Sequence, residues 1–199
     1  MKKLIITISR EFGSGGRTIG KEVANRLSIP CYDESLIDEV TKESGYARDY
    51  VEQEGEYSPS KGFFSYAFIG RDDKGLSNDD YIWFAQRKVI EDIAKDSCVI
   101  VGRCADYILK DNSDAFHIFI YADKEFKMKR IVDVYGESKV HPEKRLADKD
   151  KRRILNYRYF TGREWGQITN YDLSINSSRC GIEETVDLIC QVVKGVENE

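Results

Sequence analysis

The stretch Leu4-Ile5-Ile6-Thr7-Ile8-Ser9-Arg10-Glu11-Phe12-Gly13-Ser14-Gly15-Gly16-Arg17-Thr18-Ile19-Gly20 limits this chain to few folds. An isoleucine-rich run of strand length comes first. A loop with glycine at positions 13, 15 and 16 follows. Ile19, Val23, Ala24 and Leu27 then recur at helical spacing, which predicts a helix opening near Arg17 or Thr18. In a strand, glycine loop and helix taken in that order, successive backbone N–H groups can turn inward. The helix N-terminus adds partial positive charge, and the product is a cradle for a phosphate group. Read against the pattern G-x-x-x-x-G-K-[ST], the matching residues are Glu11 to Thr18, with Gly16 as the second glycine, Arg17 for lysine and Thr18 in the hydroxyl position.

The rest of the chain repeats that alternation. Cys31-Tyr32-Asp33 is a short strand ending on an acid, and residues 34–44 read as a helix stopped by Gly45. Asn78 can cap a helix running to about Lys95. Cys98-Val99-Ile100-Val101-Gly102 is an apolar strand followed by Arg103, Cys104 and a short helix over 105–110. Phe116 to Tyr121 is another buried strand, with a helix over 123–135. A long helix spans 140–160, a last strand 171–175 and a closing helix 182–196. Five short apolar strands, each followed by helix, predict an α/β fold: a parallel sheet with helices on both faces. Ligands of such sheets sit at the carboxyl ends of the strands. The loop, Asp33 and Arg103 all fall there.

Segment 46–78 carries the weakest signal. Phe63, Phe64, Tyr66 and Phe68 give it an apolar centre, and it reads as irregular or short helical structure that docks on the core or moves over a ligand. Residues 33–56 hold nine acids and two bases, a solvated acidic face. Residues 139–163 hold nine Lys or Arg against three acids, and Lys149, Arg152, Arg153 and Asn156 fall at i, i+3, i+4 and i+7.

At 199 residues the chain suits a single domain over 1–199. A net charge of −4 argues against nucleic acid as a partner. The apolar run behind Lys2 and Lys3 covers only about five residues, too short for a signal peptide or a membrane span, so a cytoplasmic protein without a membrane partner is expected. The cysteines Cys31, Cys98, Cys104, Cys180 and Cys190 form no C-x-x-C pair, and with two histidines they make no zinc set. His117, inside an apolar strand, reads as a hydrogen-bonded core residue.

This constellation suits phosphoryl transfer, which needs positioning and charge neutralisation more than covalent chemistry. Gly13, Ser14, Gly15 and Gly16 would cradle a nucleotide phosphate. Arg17 would reach the β/γ oxygens, and Thr18 would ligate Mg²⁺. Arg103 would clamp an acceptor phosphate. Asp33 would accept a proton or orient an acceptor hydroxyl, or else only cap the helix behind it. Lys149, Arg152 and Arg153 would close on the polyphosphate as a lid, or form a solvated basic face.

Together these residues resemble the nucleoside monophosphate kinases of the P-loop class, and within them the cytidylate kinase-like branch. The match runs in order through Gly13–Thr18, Val99-Ile100-Val101-Gly102-Arg103, His117 to Ala122, Asp150-Lys151-Arg152-Arg153, Tyr171 to Asn176 and Gly181-Ile182-Glu183-Glu184. The resemblance implies a five-stranded P-loop kinase core, an acceptor-binding insertion over about 34–78 and a helical lid over about 139–163. It implies ATP with Mg²⁺ as donor and a nucleoside monophosphate such as CMP or dCMP as small-molecule acceptor. Arg17 and Arg153 would be catalytic with Asp33. The chain differs from the family in its missing lysine and first glycine, in Cys104 where the family has Asp, and in Asp33-Glu34-Ser35 where it has Asp-Thr-Gly. A regulatory nucleotide-binding protein of the same fold and a kinase of a non-nucleotide metabolite remain the alternatives.

Overall fold

The structure, a computed structural model, describes residues 3–56, 72–136, 138 and 140–197. Five strands form one parallel sheet: β1 (Ile5–Arg10), β2 (Cys31–Tyr32), β3 (Cys98–Val101), β4 (Ala115–Tyr121) and β5 (Leu173–Asn176), in the order β2-β3-β1-β4-β5. β1 is central, pairing Ile5 with Cys98 of β3 on one side and with Ala115 of β4 on the other. The helices between strands are α1 (Gly16–Leu27), α2 (Glu34–Ser44), α3 (Arg48–Glu56), α4 (Asn78–Ile93), α5 (Ala105–Ile108), α6 (Lys124–Asp133) and α7 (Pro142–Thr161), and α8 (Ser177–Cys180) and α9 (Ile182–Glu197) follow β5. The predicted α/β architecture is therefore the observed one. The aromatic segment around Phe63, Phe64, Tyr66 and Phe68 lies outside the described residues.

Strand alternation divides the core into two layers. Ile6 and Ile8 point to one face of the sheet and pack with Ile19 and Val23 of α1 and Val186 and Ile189 of α9. Ile5 points to the other, among Leu36 and Val40 of α2, Ile82 and Ile90 of α4, and Ile100. Ile5, Ile6 and Ile8 are all fully buried, each worth about 1.5–3 kcal/mol over an exposed side chain. With both faces covered, Ile5, Ile6 and Ile8 are apolar on both sides of the strand, which is why its first part reads as a nearly continuous run.

Two caps differ from expectation. Ser77, not Asn78, caps α4: its Oγ accepts from the Asp80 amide at 3.2 Å while its own amide donates to Asp80 Oδ2 at 2.8 Å. Asn78 is instead the first helical residue. Asp33 stands at the N-cap position of α2, yet its side chain makes no capping hydrogen bond there. His117 sits in the sheet as expected, its Nδ1 2.8 Å from Thr7 Oγ1. Among the described residues no helix is long and apolar enough to cross a membrane.

Candidate active site

The glycine loop joins the carboxyl end of β1 to α1. The helix opens one residue earlier than the periodicity predicts: Gly15 is its N-cap at φ 85° and Gly16 its first residue. Gly13 also has φ 82°, a left-handed conformation that side chains resist. The loop is tied down from several sides. Ser14 Oγ donates to the Glu11 carbonyl at 2.9 Å, and Ser177 Oγ donates to the Ser14 carbonyl at 2.6 Å. The Phe12 amide donates to Asp150 Oδ1 of α7 at 2.7 Å. Burial pushes the Asp150 carboxyl up, against the pull of that amide and of Arg153 and Lys127. Lys127 of α6 pairs with Glu11 at 2.8 Å.

Beside the loop lies a cleft whose cations are Arg10, Arg17, Lys149 and Arg153. A second, smaller cleft is lined by Ser9, Gly102, Arg103, Cys104, Asn156 and Trp165. Arg10 and Arg153 line both. The basic helix α7 supplies Arg153, whose Nη1 donates to the Arg10 carbonyl at 3.3 Å and lies 3.4 Å from Asp150 Oδ1.

Arg103 emerges from β3 through a left-handed turn. Gly102, Arg103 and Cys104 have φ of 77°, 59° and 54° in succession. For a non-glycine residue that conformation costs about 1–2 kcal/mol. Gln86 of α4 pins the turn, its Nε2 donating to the Arg103 carbonyl at 2.9 Å. The Arg103 guanidinium is buried, with Nη1 3.4 Å from the Val51 carbonyl. Cys104 is buried with its Sγ 3.7 Å from Asn156 Oδ1.

The expected site residues thus fall into distinct places. Gly13, Gly16, Arg17, Lys149 and Arg153 meet at the larger cleft, and Arg103 faces the smaller one. Arg17 Nε lies 2.7 Å from Asp33 Oδ2 and its Nη1 2.7 Å from Glu34 Oε1. The loop arginine and the post-strand acid are therefore partners of one another. Arg152 is exposed and lines neither cleft, because it stands about 100° around α7 from Arg153. Thr18 Oγ1 accepts from Arg130 Nη2 at 2.8 Å. A cation bound directly to that hydroxyl would stand beside a guanidinium, so in this arrangement Thr18 does not fit a magnesium ligand.

Three residues carry weight that the sequence did not signal. Arg10 ends an apolar strand, and a charge at that position was the available cue. Asp106 of α5 is buried and accepts from Ser9 Oγ at 3.0 Å and Tyr157 Oη at 2.7 Å. Burial pushes its carboxyl up despite both donors. Arg130 and Thr18 meet across 112 residues of sequence, a pairing no local pattern reveals.

Residues 5–179 match the model of the cytidylate kinase-like family. A cytidylate kinase from Archaeoglobus fulgidus is 29% identical over 192 residues, covering 95% of this chain and 94% of that one. One from Pyrococcus horikoshii is 25% identical over 178 residues, covering 89% and 81%. Among solved structures, an uncharacterized protein from Eubacterium ventriosum superposes with a TM-score of 0.74 at 29% identity, covering 96% of this chain and 99% of that one. Shikimate kinase from Acinetobacter baumannii, solved with shikimate, superposes with a TM-score of 0.56 at 14% identity, covering 100% and 97%, a likeness of fold.

Proposed function

Because the chain belongs to the cytidylate kinase-like family, we propose that it transfers the γ-phosphoryl group of ATP to a small phosphorylated acceptor, with CMP or dCMP foremost. The observation that carries this reading is the pair of clefts sharing Arg10 and Arg153. One has a glycine loop for a donor polyphosphate, and the other has Arg103 for an acceptor phosphate. An oxygen of the acceptor phosphate attacks the γ-phosphorus; a new P–O bond forms as the β–γ bridge breaks, and ADP leaves with the electron pair. Negative charge converges between the clefts, where the guanidinium groups of Arg10 and Arg153 would stabilise it. Magnesium would arrive with the nucleotide, held by its phosphates and waters. The two curated relatives are named cytidylate kinase, which supports a pyrimidine monophosphate as the acceptor.

A second reading has its own observation. Arg17 is held by Asp33 and Glu34, and Thr18 by Arg130, an arrangement that suits a nucleotide-binding regulator with little turnover. Coupled ADP release with Mg-ATP, run against nucleoside monophosphates and small hydroxylated metabolites, separates the two. CMP- or dCMP-dependent turnover that falls at least about 100-fold in Arg103→Ala supports the kinase, a bidentate phosphate contact being worth about 3 kcal/mol or more. ATP binding without acceptor-dependent turnover supports the regulator. Absence of ATP binding overturns both.

A further inference from the structure

We propose that Arg10 is the cation that serves the phosphate loop in place of its lysine, and that Gly16 is glycine because the Arg10 side chain fills the space a side chain there would need. The inference deepens the kinase reading and rests on it.

The loop's own geometry sets the register. Gly15 is the N-cap and Gly16 the first residue of α1. With Gly15 as the second glycine of G-x-x-x-x-G-K-[ST], Gly16 takes the lysine position, Arg17 the hydroxyl position and Arg10 the first-glycine position. A long cation then stands where the motif has no side chain, and no side chain where it has the cation.

Sterics explain why the changes come as a pair. A Cβ on Gly16 would lie 2.5 Å from Arg10 Cβ and 2.8 Å from Arg10 Cγ, with Ile120 Cβ at 3.5 Å. The nearest atoms belong to the base of the arginine side chain, which the strand fixes, and not to its flexible end. Arg10 at this place and any side chain at 16 exclude one another. Gly16 has no positive φ to require glycine, so the close approach is the reason for it.

Position completes the case. Arg10 is the last residue of β1, in register with Ile120 of β4, and is buried. It lines both clefts, whereas Arg17 of α1, which sequence alone puts in the lysine role, lines only the larger one. A forked guanidinium at the junction can hold two phosphate oxygens at once.

Two measurements on the full chain test this. In calorimetric titration with ATP, Arg10→Ala should weaken affinity about 10–100-fold, more than Arg17→Ala does, while the double variant Arg10→Gly/Gly16→Lys should recover most of the loss. In thermal unfolding, Gly16→Ala should lower Tm, and Arg10→Gly in the same chain should relieve the drop. If wild type binds ATP and Arg10→Ala binds as tightly, or Arg17→Ala loses more, the cation assignment is overturned and the kinase reading stands. If Gly16→Ala is equally harmful with Arg10→Gly, the exclusion is overturned. If wild type does not bind ATP, the kinase reading fails and takes this inference with it.

Discussion

Single residues here are read better by their partners than by their identity. His117 reads in the sequence as a hydrogen-bonded core histidine because it interrupts an apolar strand; it is bonded to Thr7 as expected, but half-buried. Burial pulls its pKa below the ordinary value of 6.5, although Asp106 and Asp172 push the other way. The unfolded chain therefore takes up a proton that the folded one resists. Stability from this residue is intact above about pH 6.5 and is lost as pH falls below that value toward the folded pKa. Denaturant unfolding at pH 7 and pH 5 should show wild type losing more stability than His117→Asn over that interval. Equal losses would place the acid sensitivity elsewhere. Asp33 shows the opposite limit of reading by type: acid after a strand and before a helix fits a cap or a catalytic group, and only the fold reveals its pairing with Arg17.

Elements were legible where a period runs long and illegible where two distant segments meet. The five strands and the long helices follow from apolar runs and 3.6-residue spacing, which report local burial. The start of α1 is off by one because adjacent Gly15 and Gly16 allow either register, and spacing cannot choose between them. That one residue hid Arg10. The role of α7 was equally hidden. Its basic content reads as a lid, but its grip on the loop depends on Asp150, an acid among bases, meeting the Phe12 amide 138 residues away. The same holds for Asp106, which joins β1 through Ser9, and α7 through Tyr157, to its own helix α5. Asp106→Ala leaves the buried Tyr157 hydroxyl without its acceptor, at about 1–3 kcal/mol, while Ser9 keeps its bond to Tyr171. Chemical denaturation should show a stability loss of about 2 kcal/mol. Asp106→Asn, which keeps one acceptor and lets the other hydroxyl accept, should lose less. A loss below about 1 kcal/mol for the alanine variant would mean that water or a neighbour satisfies the Tyr157 hydroxyl.

At the scale of the molecule, the strand order places the ends of β1 and β3 side by side, and Arg10 and Arg153 line both clefts there. On the proposed reading, a donor on the loop and an acceptor at Arg103 would share these two cations. Binding either one alone should already stabilise the fold. A nucleotide at 100 times its Kd adds about 2.7 kcal/mol, which for a chain of this size raises Tm by roughly 5–10 °C. The shared arginines make a stronger claim, that the two bindings are coupled. ATP should change CMP affinity by some factor, and CMP must change ATP affinity by the same factor, because coupling is reciprocal. Arg153→Ala should shrink that factor towards one, while a variant outside both clefts, such as Arg87→Ala, should leave it alone. Titrations of each ligand with and without the other decide the matter: with a non-hydrolysable ATP analogue, affinities that do not depend on the second ligand would show two separate anion sites, and the place of Arg10 and Arg153 in both clefts would then have no energetic meaning.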